Sequence, residues 1–234
     1  MARMIFYHGI ALETVAPVMI EDIRVGPIIQ APVARDRPLS AGQTFIRTHE
    51  GTRSVGITFA IIEQNPDIRQ RYIEALTAWA LTDAPAAMQL PNHANKLLDV
   101  LCTGLPEPST RQWWESRLNL NFTAYDPYFY SITEKSAACG SAFVVLGNAP
   151  PRMRITHTLS AEDNLTYSDG TKTMAFSNVP AGSLEIDLNK QTARVGTSSI
   201  MSGLSFSSRF ILPKTGSQTI TGSGTVRWRE RWQA

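Results

Sequence analysis

Histidine side chains are the first candidates for chemistry in this chain, and their spacing argues against a metal centre. The four histidines, His8, His49, His93 and His157, are scattered, and none stands at a metal-binding spacing such as HxxxH. A histidine placed singly in this way is usually a surface or strand-edge residue. We therefore predict no metal site and no cofactor.

Acidic residues are the second candidates, and they occur in pairs at Glu21-Asp22 and Glu162-Asp163. A glycosidase needs two carboxylates held across a cleft, one as acid and the other as base or nucleophile. Pairs of neighbours in one segment do not supply that arrangement by themselves. A hydrolase of cell-wall polymer therefore stays open only as the lowest-ranked function.

Two further motifs have simpler explanations than catalysis or ligand binding. Asp163, Asn164 and Asp169 could offer oxygens to calcium, but their spacing is not that of an EF-hand loop, and Asp169 is better explained by a turn. The glycine pair at residues 222–224 (GSG) is not followed by a helix, which a phosphate-binding loop requires. Since the chain also has no GxSxG motif, we predict no catalytic residue and no enzymatic activity.

A basic strand near the end of the chain raises the question of nucleic acid. Within residues 225–232, one face carries arginines and the other mostly apolar side chains: Arg227, Arg229 and Arg231 against Val226, Trp228, Glu230 and Trp232. Single-stranded nucleic acid is held where basic and aromatic groups act together. Because they fall on opposite faces here, we interpret the tryptophans as packed inward and the arginines as solvated or paired.

Composition sets the frame for these residues. A chain of 234 residues can bury one large core or two modest ones, and 43% hydrophobic with 18% charged residues is ordinary for a folded protein. The net charge of +2 offers no strong footprint for nucleic acid, and no apolar run is long enough for a membrane span. The N-terminal apolar patch is interpreted as a first strand. Cys102 and Cys139 lack metal spacing and are interpreted as small core residues.

One amphipathic helix is predicted, at residues 66–83. Asn65 is the candidate N-cap, Pro66 suits the first helical position, and Asp67 complements the positive end of the helix dipole. Apolar residues then recur at helical spacing: Ile68, Tyr72, Ala75, Leu76 and Trp79. Such a stripe needs a sheet to pack on.

Strands are predicted on both sides of this helix. Residues 45–50 and 54–63 flank Gly51 and are interpreted as a hairpin, and further strands are predicted at 86–90, 97–103 and 112–122. The segment LNLNFTAYDPYFY ends this series, because proline removes a backbone donor after an alternating strand. Its last five residues are interpreted as a domain-junction motif with an aromatic clamp: Asp126, Pro127, Tyr128, Phe129 and Tyr130.

The second half is predicted to contain strands and no helix. Strands are expected near residues 143–145, 153–156, 164–168, 171–176, 184–188, 205–212 and 225–232, with Asp169-Gly170 as a two-residue hairpin turn. This spacing is typical of a sandwich or jelly roll. We predict a mainly β protein with one prominent helix: an α+β domain (β-sandwich plus helix) at residues 1–134 and an all-β sandwich at 135–234.

The order of these motifs resembles that of the distal tail proteins (Dit), tail components of long-tailed, non-contractile phages (siphoviruses). The matching segments are LNLNFTAYDPYFY, PPRMRITHTLS, GSLEIDLNKQTARV and SRFILPKTGSQTIT. Each is short, and together they span nearly the whole chain.

The resemblance implies a structural protein of the virion tail tip, assembled in the host cytoplasm. The N-terminal domains would form a ring, usually a hexamer, between the tail tube protein and a tail-associated hub protein. DNA would pass through the ring without specific binding, and no membrane would be involved. The C-terminal domain would be galectin-like and would anchor receptor-binding proteins or fibres.

A Pro-rich segment at residues 26–42, with no clear helical or strand period, is a candidate subunit interface. A plain surface loop is one interpretation, and an arm that packs on a neighbouring subunit is the other. The residues assigned to the arm are Ile28, Ile29, Val33, Arg35 and Arg37.

A lectin-like, carbohydrate-binding module in host adsorption is the alternative function. Lectin-like sandwiches stack sugars on exposed aromatic rings, and Tyr167, Phe176 or Phe206 could serve in this way.

Overall fold

The structure is a computed structural model that describes residues 4–36, 43–104 and 109–233, without the side chains of residues 30–49 and 110–112. The chain divides into two compact units, Met1–Phe129 and Tyr130–Ala234. Each unit has its own cluster of buried apolar residues. Both units consist mainly of strands, and the prominent helix lies in the first, so the predicted fold class is confirmed.

The described residues of the first unit form two helices, α1 (Leu12–Val15) and α2 (Pro66–Ala80), and a single 3-10 turn at Pro91–His93. Its strands are β1 (Phe6–Tyr7), β2 (Ile10–Ala11), β3 (Val18–Val25), β4 (Gln30–Asp36), β5 (Gln43–Glu50), β6 (Arg53–Ile62), β7 (Ala86–Gln89), β8 (Lys96–Gly104), β9 (Ser109–Gln112) and β10 (Glu115–Ala124). A further strand, β11 (Phe129–Ser131), begins at the last residue of this unit.

Neighbouring strands in the main sheet of the first unit follow the order β8, β10, β6, β3, and all of these pairs are antiparallel. Alternate residues of β6 and β10 point into the core, where Ile57, Phe59, Leu120 and Phe122 are at most 1% exposed. The opposite face of the sheet carries polar residues. Helix α2 contributes Leu76 and Trp79 to the same core.

Helix α2 forms where its capping residues predict it. The Asn65 side chain accepts a hydrogen bond from the backbone N–H of Asp67 at 2.9 Å, and Pro66 occupies the first turn. The helix ends at Ala80 instead of residue 83, because Leu81 is already extended. The side chain of Thr82 then bonds the Tyr7 hydroxyl at 2.7 Å, which directs the chain back to the core.

The hairpin predicted between residues 45–50 and 54–63 is wrong, although both strands exist. β5 pairs with β4 in a separate two-stranded sheet, and β6 pairs with β3 and β10. Gly51 N–H donates to Ile29 O at 2.7 Å, so the chain at Gly51 still runs beside the segment that leads into β4. The segment at 26–42, which showed no strand period, therefore contains the strand β4.

The second unit contains strands and one 3-10 turn at Met201–Gly203, with no α-helix among its described residues. Its strands are β12 (Lys135–Ala138), β13 (Ala142–Val145), β14 (Ala149–Leu159), β15 (Asp163–Ser168), β16 (Thr173–Val179), β17 (Gly182–Asp187), β18 (Thr192–Val195), β19 (Ser198–Ser199), β20 (Gly216–Thr219) and β21 (Thr225–Trp232).

The described strands of the second unit form one larger sheet and two separate two-stranded sheets. The larger sheet has the order β19, β18, β17, β14, β21, and β12 also pairs with β21. The pairs β13–β20 and β15–β16 supply the other strands. Residues from the larger sheet and from both pairs share one core, including Ile155, Ile186, Tyr167 and Phe143, as expected for a sandwich.

Three predicted elements need correction. The strand predicted at 112–122 is interrupted, because Trp113 and Trp114 form the turn between β9 and β10. The hairpin at Asp169-Gly170 exists, but its loop has four residues, since Ser168 pairs with Thr173. No strand forms over residues 205–212.

In that last segment, serine side chains compete with the ladder. The Ser208 hydroxyl accepts from the N–H of Ala175 at 2.9 Å, and Ser205 N–H donates to Ala175 O at 2.9 Å. The segment therefore follows the edge of β16 through a side chain as well as the backbone. The predicted first strand is also modified, since the N-terminal patch folds into β1, β2 and α1.

Candidate assembly surfaces

The candidate interface segment combines a partly exposed apolar entry with a hairpin. Ile28 is half-buried, and Ile29 is 55% exposed. Val33 and Arg35 lie in β4, whose backbone is described, and Arg37 lies outside the described residues. An exposed isoleucine beside a two-stranded sheet is consistent with an arm, and the interface itself stays a prediction.

The junction motif packs its aromatic rings inside the units and does not present them to solvent. Phe129 is fully buried in the first unit, with the Arg53 guanidinium 5.3 Å from its ring centroid and the His93 ring 4.4 Å away. The Tyr128 hydroxyl bonds the Glu50 carboxylate, and Asp126 accepts from the Tyr128 N–H at 3.4 Å. These contacts fix the end of the first unit.

Tyr130 begins the second unit and is covered by two cations. The Arg152 and Arg229 guanidinium groups lie 4.7 and 5.7 Å from its ring centroid. Cation–π contacts of this kind are favourable at partly desolvated sites. The aromatic clamp therefore consists of three consecutive buried side chains, Tyr128, Phe129 and Tyr130.

The electrostatics around Phe129 favour a neutral histidine. Burial, and then the positive charges of Lys96 and Arg53, hold the pKa of His93 below its ordinary value. Burial also lowers the pKa of Arg53. A neutral imidazole packed on an aromatic ring acts as a structural residue.

Some of the sequence candidates for chemistry are explained by structural contacts. The acidic pair Glu21-Asp22 makes ion pairs with Arg117 and Arg24. No group of three or more histidine, cysteine or acidic residues that could hold a metal occurs in the described residues. Cys102 and Cys139 are free and half-buried.

Asp169 is a turn residue, as predicted. Its carboxylate accepts the backbone N–H groups of Thr171 and Lys172 at 2.9 and 2.6 Å. Burial raises the pKa of Asp169, but these two bonds and the Lys214 ammonium outweigh it and hold the pKa below the ordinary value of 3.8. The carboxylate therefore stabilises the β15–β16 loop.

The glycines at 222–224 allow close packing. A Cβ on Gly222 would lie 2.5 Å from the Tyr167 ring, and one on Gly224 would lie 2.5 Å from Thr156 O. Both glycines have positive φ. This close approach of backbone to neighbouring strands explains the motif without a phosphate.

The arginine face of β21 is part of a chain of alternating charges. Arg154 bonds Glu134 at 3.0 Å and lies 3.5 Å from Glu185, and Arg194 bonds Glu185 at 2.9 Å. Arg227 lies 3.6 Å from Glu134. On the opposite face Val226, Trp228 and Glu230 are buried, and Trp232 is only half-buried. The predicted division of the strand into two faces therefore agrees with the structure, with Trp232 less buried than expected.

The three aromatic candidates for sugar stacking differ in solvent exposure. Tyr167 and Phe176 are at most 1% exposed, and burial raises the pKa of Tyr167, so neither ring can stack on a ligand. Phe206 is fully exposed in a turn. Only this third candidate is accessible.

Two further surface features lie in the first unit. Trp113 is 69% exposed, and its carbonyl oxygen is held by the Arg69 guanidinium at 2.8 Å. A polar basin of about 400 Å³ lies on the open face of the main sheet, lined by Asp22, Arg24, Gly56, Ile57, Thr58, Arg117, Asn119 and Asn121. Alternation in β6 and β10 indicated such a polar face, but its concave shape depends on three strands together.

The whole chain matches a solved structure of phage SPP1. The protein SPP1 Dit (gp 19.1), described as a paradigm of the hub adsorption apparatus in phages that infect Gram-positive hosts, aligns with a TM-score of 0.78 and 14% identity over 99% of each chain. This chain has the distal tail protein fold. The resemblance in motif order is thus confirmed at the level of the fold.

Two structures of the phage p2 baseplate in its activated conformation, with Sr and with Ca, also align with this chain. They cover 98% of each chain, with TM-scores of 0.45 and 0.43 and identities of 7% and 8%. No protein-family model and no curated protein sequence matches the chain. Among the described residues, no helix is both long and apolar enough to cross a membrane.

Proposed function

We propose that this protein is a structural component of a phage tail tip, a distal tail protein of the siphovirus type. The observation that carries the proposal is the match to SPP1 Dit over 99% of both chains, which covers the two units in one alignment. Chains with the same fold can differ in function, so the assignment also rests on the residues. The Glu21 and Asp22 carboxylates are engaged in ion pairs, the Asp169 carboxylate in a turn, and the His93 ring in a contact with Phe129. These contacts support a structural role over a catalytic one.

In this proposal, the first unit forms a homo-oligomeric ring, expected to be hexameric, and the galectin-like second unit extends from it. One side of the ring contacts the tail tube protein and the other contacts the tail-associated hub, while receptor-binding proteins attach to the second unit. A closed ring requires two different complementary patches on each copy. The partly exposed apolar entry at Ile28 and Ile29 and the adjoining β4–β5 hairpin are the proposed source of one patch.

Light scattering and negative-stain electron microscopy of the purified protein test this function. The expected result is one discrete oligomer that appears as a ring with a central opening wide enough for DNA. A single globular copy at every concentration, or an open fibre, would contradict the proposal. Antibody labelling of the parent virion should then locate the protein at the tail tip.

Carbohydrate binding in host adsorption is a second candidate, and the exposure of Phe206 is the observation that favours it. A glycan array followed by sugar titration would separate the two functions. A saccharide that binds a monomer, and whose binding is lost in Phe206→Ala, would favour the lectin. A ring without any sugar response favours the tail component.

A further inference from the structure

The first step of the inference concerns the open edge of β3. This strand ends the main sheet of the first unit, and its outer edge has no ladder partner in the described part of the chain. Gly26 N–H donates to Ser54 O at 2.8 Å. Counting back from this bond, the backbone N–H groups of β3 point alternately towards β6 and away from it. The N–H groups of Ile23 and Val25 therefore point to the open edge.

The side chains of β3 indicate that something is missing beside it. Its four core-facing apolar residues are only half-buried, although they pack against the core: Val18, Ile20, Ile23 and Val25. Their neighbours on β6 are at most 1% exposed: Val55, Ile57, Phe59 and Ile61. A further strand beside β3 would remove this apolar area from water, which favours the contact.

The β4–β5 hairpin has the complementary deficiency. It forms a sheet of its own, so within the described residues neither outer edge is paired. An isolated two-stranded hairpin is marginally stable in water, and a third strand is the usual remedy. The chain thus carries one sheet that lacks an outer strand and one hairpin that lacks a sheet.

The two strands of the hairpin are not equivalent as partners. Gly51 N–H donates to Ile29 O, and from this bond onward the opposed residues of β4 and β5 alternately bond each other and point their backbone groups away from the hairpin. The opposed pair Pro32 and Thr48 is of the second kind, so its backbone groups face outward. Pro32 has no N–H to donate, which blunts the outer edge of β4. β5 has no proline or glycine and presents the Thr48 N–H and C=O outward.

We propose that β5 of one copy pairs with the open edge of β3 of a neighbouring copy through backbone hydrogen bonds. The inference rests on the proposed function, because it names the surfaces that join copies in the ring. Both strands have eight residues, so their lengths match. The contact is a strand addition, in which a strand of one copy extends the sheet of the next. Because it joins two different surfaces, it can repeat around a closed ring.

A matched pair of substitutions at residue 48 tests the role of the β5 edge. Thr48→Pro removes the outward N–H while the inward bonds of the hairpin remain, and Thr48→Ala keeps that N–H and removes only the side chain. We expect Thr48→Ala to keep the mass of the unmodified oligomer in light scattering. Thr48→Pro should shift at the same concentration towards the single chain of 25.8 kDa.

Cysteine cross-linking tests the pairing directly and does not depend on how Thr48→Pro folds. The background is Cys102→Ser with Cys139→Ser, which removes both free thiols. Arg24→Cys on β3, a position whose side chain is 85% exposed, is combined with cysteine at each β5 position in turn. Opposed strand positions lie within disulfide reach, so oxidation should give a ladder of covalent multimers for at least one combination. Arg24→Cys alone is the control.

The outcomes separate this inference from the proposed function. If the unmodified protein is a monomer throughout, the ring itself is wrong. If the ring forms but Thr48→Pro assembles like Thr48→Ala, or no β5 position cross-links to position 24, then the β3–β5 pairing is wrong and the ring stands. Dissociation by Thr48→Pro alone together with a cross-linked ladder supports the pairing.

Discussion

Gly224 lies where any side chain would collide with backbone. Its φ is +99°, and a Cβ there would lie 2.5 Å from Thr156 O. Gly224→Ala should therefore lower the free energy of unfolding by roughly 3 kcal/mol, measured by urea unfolding. Gly170→Ala is the matched control, because Gly170 also has positive φ but faces open space. Its loss should be roughly 1 kcal/mol, and equal losses would contradict the role of the close approach.

Asp169 gives the second unit a pH-dependent contribution to stability. Its folded-state pKa lies below the unfolded value, so the carboxylate stabilises the fold above the unfolded pKa, and this contribution is lost as the pH falls through the folded pKa. Asp169→Asn should be less stable than the unmodified protein at neutral pH, and the two should converge in acid. Unfolding curves across that range measure the difference, and a constant gap would exclude the carboxylate as its cause.

At the residue scale, local signals were informative and distant partners were not. The turn role of Asp169 follows from its neighbour Gly170, because both act within the same few residues. The need for glycine at position 224 could not be predicted from the sequence, because the clash is with Thr156 on another strand. The exposure of Phe206 and the burial of Tyr167 also depend on packing that no short segment reveals.

At the scale of the element, α2 depends on its N-cap. The Asn65 side chain accepts the Asp67 N–H, so Asn65→Ala should cost about 1 kcal/mol of stability. Thermal unfolding followed by circular dichroism would show the loss. Gln64→Ala is the control, because Gln64 is exposed and adjoins the cap without being the cap residue. A similar loss in both variants would show that the cap is not the cause.

At this scale the helix α2 was predictable from the sequence, and the pairing of β5 was not. Capping residues and the apolar stripe of α2 are encoded within one continuous segment, and only its last turn was overestimated. The partner of β5 was mistaken because Gly51 suggested a tight hairpin, whereas Gly51 bonds back to Ile29 and β5 pairs with β4. Strand pairing is a non-local choice that alternation alone does not specify.

At the scale of the whole molecule, the charge balance predicts how the protein treats DNA. The net charge is +2, and one arginine on each of β14, β18 and β21 (Arg154, Arg194 and Arg227) is paired with Glu134 or Glu185. Gel-shift assays at physiological salt should show no retardation at roughly 10 µM protein, since non-specific binding needs several uncompensated cations. Glu134→Gln with Glu185→Gln uncovers those arginines and should introduce weak, salt-sensitive binding. Retardation by the unmodified protein would contradict this balance.

The overall class of the fold was predictable because it depends on the order of elements, as in the sequence from the helix to DPYFY and then to short strands. The candidate interface was predictable only as a location. Ile28 and Ile29 stood out as apolar residues in a Pro-rich segment, but the hairpin that follows them and the open edge of β3 appear only once strands are assigned to sheets.

The irregular register of β3 between Ile20 and Asp22 has a consequence for the aggregation of newly synthesised chains. An unpaired strand edge can pair with other extended segments, and we expect the bulge at Glu21, next to the Asp22 carboxylate, to disfavour pairing with unrelated strands. Indiscriminate stacking into amyloid-like ribbons is discouraged, because a straight generic strand cannot follow the kink. We therefore expect an unassembled chain to be less prone to such stacking than a chain with a straight, uncharged edge strand in this position.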